Sequence, residues 1–309
     1  MKKLLIALSV FIFCFNTFAQ VSKNAGEVSG GITNPVRFLV MENWDETEKR
    51  PNFSALLGGL QNGQYADAKT ASKFADQGSF TLYGLEGPNE GEAKITKINN
   101  EMGDICEDFF GVEIDESVST GILVSSDAAW DPMPRIPVSF SPKNPVYVKI
   151  VRDFLRTKGI ANPFVEIQQI YKVDLEGDGT DEIVIRATHY KGGLNPSTTA
   201  GDYSFVMVRR IFRKPIYGRP GVKKDGSLLV PKINKENVEN ILLAGEFYPK
   251  AAEFNAPNEY DLTGLLDLNG DGKMEIVIYG AYYKGAWVEA YELLSGAKPK
   301  KVLETGCGV

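Results

Sequence analysis

Two nine-residue stretches carry the densest oxygen chemistry in the chain. Asp174-Leu175-Glu176-Gly177-Asp178-Gly179-Thr180-Asp181-Glu182 and Asp267-Leu268-Asn269-Gly270-Asp271-Gly272-Lys273-Met274-Glu275 lie 93 residues apart, each followed by Ile-Val-Ile. Oxygen-bearing side chains stand at positions one, three, five and nine, and glycine at six. A hard divalent cation such as Ca2+ requires such a set: side-chain oxygens that converge, a backbone carbonyl at position seven (Thr180 or Lys273), and a glycine that permits the sharp turn. The alternative is a glycine-rich turn whose acids are simply solvated, since Asp-Gly favours turns by itself. Against that, the first loop packs Asp174, Glu176, Asp178 and Glu182 into nine residues, where they repel one another unless a cation joins them. The pattern also occurs twice.

The elements that must position these residues are strands. An EF-hand needs a bidentate Glu at position twelve and a helix after it, but position twelve is Ile185 in one copy and Ile278 in the other. Ile183-Val184-Ile185 and Ile276-Val277-Ile278 instead favour buried strands, so each loop joins two strands of a sheet. The likeness continues beyond the loops, because Tyr190-Lys191-Gly192 recurs at the same offset as Tyr283-Lys284-Gly285. Each unit reads strand, acidic loop, strand, turn, strand, with room for a fourth strand at the edge.

This pattern resembles the FG-GAP or VCBS-type repeat of calcium-binding β-propellers. The resemblance implies Ca2+ held by Asp174, Glu176, Asp178 and Glu182 in the first loop and by Asp267, Asn269, Asp271 and Glu275 in the second. Both copies depart from the family in carrying Glu at position nine, and the first also has Glu176 at position three. Such repeats imply a metal and a fold far better than they imply a task.

The expected architecture is mainly β, propeller-like, with blade repeats at about 165–212 and 260–305 and a few short helical inserts. Residues 36–140 are expected to form degenerate blades continuous with 141–309 as one domain. Val36–Val40, Phe80–Tyr83, Ala93–Ile98, Gly121–Val124 and Ile136–Phe140 have strand character. The loop Gly84–Gly91 lacks the leading Asp and has Pro88 where an acid belongs, so it is a turn without metal. Trp130-Asp131-Pro132-Met133-Pro134 is a rigid connector. A helix should run from an Asn144 N-cap and Pro145, with Tyr147, Ile150, Val151, Phe154 and Leu155 inward, to Gly159. Shorter helices are expected over Tyr65–Phe74 and from Asn234 to Gly245.

Lys2 and Lys3, the apolar run Leu4 to Phe15 and the small residues Thr17 and Ala19 mark residues 1–19 as a cleavable export signal, with a flexible linker over 20–35. The apolar run falls short of the roughly 20 residues needed to span a bilayer, so no transmembrane anchor is expected after cleavage and the protein should be secreted or periplasmic. Cleavage moves the formal charge from -6 to -8. That balance disfavours nucleic acid as a partner, although Arg209, Arg210, Arg213, Lys214, Arg219, Lys223 and Lys224 make one basic stretch, most simply a solvated strand face. Cys106 and Cys307 are the two cysteines that remain, in a compartment where disulfides persist. A bridge between them would join the N-terminal half to the end of the chain.

An enzyme would find a poor inventory here. His189 is the single histidine, and it matches Tyr282 in the second copy, which favours packing over catalysis. There is no Gly-Xaa-Ser-Xaa-Gly elbow or phosphate loop. A hydrolase with a carboxylate pair has no positive support in the sequence. The aromatic run Tyr279, Tyr282, Tyr283 and Trp287 offers an alternative, a carbohydrate- or envelope-binding surface, although strand alternation turns about half of such residues inward. The expected function is therefore a secreted, non-enzymatic, calcium-binding repeat protein that binds or scaffolds a protein or glycan partner.

Overall fold

The computed structural model describes residues 35–42, 53–74, 78–115, 120–212, 237–294 and 298–308. The expected export signal, nearly all of the expected linker and the basic residues Arg213 to Lys224 lie outside the described residues. Residues 34–309 form one compact unit, made of three antiparallel sheets. The chain is mainly β, and no closed barrel or propeller ring is seen among the described residues.

The first sheet contains β1 (Val36–Glu42), β2 (Phe53–Gln61), β3 (Gln64–Ala66), β4 (Phe80–Gly84), β5 (Gly87–Ala93), β6 (Ile95–Asn99), β7 (Gly111–Ile114) and β8 (Gly121–Ser125). Its order is β5-β4-β8-β1-β2-β7-β6, with β3 paired to β2. β5 and β6 stand at opposite ends of that order and are joined in sequence by Lys94 alone. Lys94 continues the β6–β7 ladder: its N–H donates to Asp115 Oδ1 over 2.7 Å, and its carbonyl accepts from the Asp115 N–H over 3.0 Å. Both faces are buried, which explains the unbroken apolar run of β1. Phe38 and Val40 join the core shared with the other sheets, whereas Leu39 and Met41 pack on Leu56, Phe80 and Leu123.

The helix expected over Tyr65–Phe74 is reduced to one turn, α1 (Ala68–Ala71), capped by Asp67, whose Oδ1 accepts the Thr70 N–H at 2.7 Å. Asn62 and Gly63 have φ of 53° and 72°, the two-residue turn that matches strand twist, and Leu60 pairs with Tyr65 beyond it. The β2 ladder therefore takes Tyr65 and Ala66 from the helix.

The second sheet has the order β13-β12-β11-β10-β9, from β9 (Val138–Ser139), β10 (Ile167–Val173), β11 (Glu182–His189), β12 (Tyr203–Phe212) and β13 (Asn237–Phe247). The strand expected over Ile136–Phe140 shrinks to the two residues of β9. The helix α2 (Pro145–Thr157) forms as expected, with Asn144 Oδ1 accepting the Val146 N–H at 3.0 Å. Its Val151, Phe154 and Leu155 pack on Ile170, Ile185 and Phe205. The helix expected to Gly245 is instead the strand β13, its residues before Asn237 lying outside the described set. Val206 pairs with Ala244 and Met207 with Leu242, so Leu243 is an extra bulged residue. The helix-like spacing of Val238, Ile241 and Leu242 arises before that bulge: Val238 is exposed, Ile241 joins the core shared by the three sheets and Leu242 the core under α2, so the strand carries apolar residues on both faces.

The third sheet is a meander of β14 (Glu259–Leu266), β15 (Glu275–Tyr282), β16 (Gly285–Glu292) and β17 (Lys300–Gly308). Val173 pairs with Glu182 and Leu266 with Glu275, so each acidic loop closes the base of its own hairpin in the same register. One core draws on all three sheets, including Phe38, Leu57 and Ile122, Val173 and Val184, and Leu265, Val277 and Val288. Arg186 joins the second sheet to the third through Asp261 (2.7 Å) and Glu259 (3.1 Å). Cys106 and Cys307 form a disulfide, Cα to Cα 5.4 Å, that ties the segment before β7 to β17.

Candidate metal centre

Each loop is anchored by its second residue and shaped by its first. Leu175 and Leu268 are buried in the shared core, which pins the turns to the sheet ends. Gly177, Gly179, Gly270 and Gly272 have φ between 69° and 84°, a backbone that side chains resist. In the first loop Asp174 accepts the N–H groups of Asp178 (3.1 Å) and Gly179 (2.9 Å), and Asp178 accepts that of Thr180 (2.8 Å). In the second loop Asp267 accepts the N–H groups of Gly270 (2.6 Å) and Gly272 (2.8 Å). Asn269 accepts from Asp271, and Asp271 from Lys273, both at 2.8 Å. The ninth-position acids reach back in the same way: Glu182 Oε2 accepts the Leu175 N–H at 2.9 Å and Glu275 Oε2 the Leu268 N–H at 2.7 Å.

The side-chain oxygens are thus ordered by the loops' own backbone, and among the described residues no three acids, cysteines or histidines converge closely enough to hold a metal ion. A carboxylate oxygen has more than one lone pair, so capping an N–H leaves it able to accept again. The decisive observation lies at Glu275, which is 0% exposed. Its Oε1 is buried, and no well-aligned hydrogen bond reaches it. The buried Tyr65 phenol stands beside it and beside Asn269, close enough to interact with both. Burial pushes the Glu275 carboxyl up to about 8, with Asp267 and Asp271 adding repulsion. Burial likewise pushes Glu182 up to about 7, with Glu176, Asp174 and Asp178 adding to it, and raises Asp267. A dication would relieve both the desolvation and the repulsion.

The two loops touch. The Met274 N–H donates to the Leu175 carbonyl at 2.9 Å. Arg135 donates through Nε to the Asp174 carbonyl and through Nη2 to the Gly272 carbonyl, the latter at 2.6 Å. The connector before Arg135 continues the strap: Trp130 Nε1 donates to the Asp267 carbonyl at 2.8 Å, and the Asp267 N–H to the Pro132 carbonyl at 2.9 Å. A Cβ placed on Gly270 would meet the Trp130 ring at 3.1 Å. Sequence reasoning marked Trp130–Pro134 as rigid but missed what it holds, and it missed Arg135 and Tyr65 altogether. The Asn62-Gly63 turn was the available signal for Tyr65.

No family model, curated protein or solved structure matches this chain.

The other predicted residues scatter. Tyr279 is fully buried, its ring 5.7 Å from that of Phe53, so it cannot serve a glycan surface. Trp287 lies over Gly280 and edge-on to Tyr260, while Tyr283 is exposed and Tyr282 packs between it and Trp287. His189 stacks on Phe164 at 4.9 Å and pairs with Glu166 through Nδ1 at 2.9 Å. The basic stretch is not a uniformly solvated face, because Arg210 is buried and meets Glu239 and Glu176.

Proposed function

We propose that this chain is a secreted or periplasmic, calcium-stabilised β protein with a binding or scaffold role, its two loop-bearing meanders acting as blade-like calcium-binding repeats. In the second loop Asp267, Asn269, Asp271 and Glu275 would hold the ion with the Lys273 carbonyl; Asp174, Glu176, Asp178, Glu182 and the Thr180 carbonyl form the corresponding set in the first. The ion would supply charge neutralisation and rigidity at the sheet ends, leaving exposed loops to meet a partner. The single observation that carries the proposal is Glu275 Oε1, a fully buried acid oxygen that no well-aligned hydrogen bond reaches and that has the Tyr65 phenol beside it, at a loop of oxygen donors. A membrane-spanning role has no support from helices, since none among the described residues is long and apolar enough to cross a bilayer.

Thermal melts of the intact protein test the proposal. Calcium at 100 times its dissociation constant adds about 2.7 kcal/mol, which raises Tm by roughly 4–6 °C in a chain of this size. Chelator should reverse the rise, and Glu275→Gln should remove most of it. A melt indifferent to both calcium and chelator would overturn the proposal.

A further inference from the structure

The two loops sit at equivalent places in their sheets, yet their charge surroundings are opposite. Ile183 pairs with Arg209 beside the first loop, and Ile276 pairs with Tyr291 beside the second. One residue further along each ladder, next to the ninth-position acid, stands Arg210 in the second sheet and Glu292 in the third. Arg210 is 5% exposed, and its Nη1 lies 3.6 Å from Glu176 Oε1, with Glu239 holding the rest of the guanidinium at 3.0 and 3.1 Å. Glu292 lies instead toward Tyr65, near enough for its charge to act on the phenol that flanks Glu275.

The loops differ in composition at position three, where the first has Glu176 and the second the neutral Asn269. Carboxylate count alone would make the first loop the better dication site. However, its additional acid is the one that the guanidinium meets. Beside the second loop's position-three Asn269 stands the neutral Tyr65 phenol. Arg210 projects from a strand into the interior and cannot withdraw, so its charge stands fixed against any dication in that loop. The second loop's own cation, Lys273, is 3.9 Å from Asp271 with both side chains largely exposed, and a flexible ammonium there is free to swing into solvent. Lys172, bonded to Asp181 at 2.6 Å, adds a further positive charge on the first loop's side. Arg135 touches both loops and does not distinguish them.

We infer that Arg210 is the resident cation of the first loop and that the second loop is the divalent-cation site, so that the chain takes one Ca2+ tightly rather than two. The inference rests on the calcium proposal above and specifies which of the paired sites carries it. Arg210 is then the residue that sets the stoichiometry.

Native mass spectrometry and calorimetric titration of the full chain with Ca2+ alone read the answer directly. The wild-type chain should bind one ion, with any second at least about tenfold weaker. Asp174→Asn with Asp178→Asn should leave that one ion in place. Asp267→Asn with Asp271→Asn should remove it. Arg210→Met should bring a second ion of comparable affinity. Two equivalent sites in the wild-type chain, or a single ion lost with the first-loop variant and kept by the second-loop variant, would overturn the assignment of Arg210 while leaving the calcium proposal standing. No ion bound by any form would remove both. The wild-type and loop-variant stoichiometries decide the matter even if Arg210→Met fails to fold.

Discussion

Met274 donates its backbone N–H to the carbonyl of Leu175 across 2.9 Å, which bonds the eighth residue of one acidic loop to the second residue of the other. The loops belong to different sheets, so this bond and the Arg135 guanidinium make a single structural joint between the second and third sheets. Order imposed on one loop is therefore felt by the other.

Arg135 is the side chain on which that joint depends most. Its hydrogen bonds to the carbonyls of Asp174 and Gly272 involve a charged donor, and such bonds contribute about 1.5–3 kcal/mol each. Arg135→Ala should lower stability without calcium by about 2–4 kcal/mol, seen as a lower urea midpoint with little change in slope. An unchanged midpoint would show that the loops are joined by backbone contacts alone.

Glycines in the second loop separate backbone strain from steric contact. Gly270 and Gly272 have φ of 77° and 82°, and alanine at either costs about 1–2 kcal/mol for its left-handed backbone. Only at Gly270 does the new Cβ meet the Trp130 ring, at 3.1 Å; nothing lies within 4 Å at Gly272. Gly270→Ala should be the more destabilising by about 1 kcal/mol, measured as the difference between the two urea midpoints. Equal losses would mean that Trp130 yields freely.

The disulfide closes a sequence separation of 201 residues. Chain entropy assigns a bridge of that span about 5 kcal/mol, and measured effects for native bridges run at about 2–5 kcal/mol. Cys106→Ser with Cys307→Ser should lower unfolding stability by that amount under non-reducing conditions, whereas reductant should no longer affect the variant. A variant as stable as the parent would show that packing between the first and third sheets suffices.

What the sequence reveals about this molecule divides along the range of the interactions. The acidic loops, the Ile-Val-Ile strands after them and α2 are legible because each depends on a handful of consecutive residues: turn glycines, β-branched runs, an Asn-Pro cap. The Cys106–Cys307 pairing is legible because Cys14 falls within the expected export signal, which leaves two cysteines to pair. β13 is misread because Ile241 and Leu242 serve cores on opposite faces of one strand, and adjacent apolar residues of that kind imitate a helical period. Tyr65 is lost because a hairpin turn, not helical spacing, decides its direction and carries it to Asn269 and Glu275, 204 and 210 residues away. Arg210 sits in a run of charges that looks solvated, and only the fold places its guanidinium against Glu176 in the interior. The sheet order, and with it the meeting of the two loops under Arg135, is set by long-range packing that no local pattern records.

Terbium luminescence tests the central claim most directly. Tb3+ takes the same hard oxygen ligands as Ca2+ and emits when a nearby aromatic ring passes energy to it. The Trp130 ring lies against Gly270 in the second loop, so a bound ion there is next to its sensitiser. Sensitised emission should appear with one ion per chain, fall in Trp130→Phe, disappear in Glu275→Gln and be displaced by Ca2+. Emission that never rises above that of free terbium, or that persists undiminished in Glu275→Gln, would contradict a cation site at the second loop.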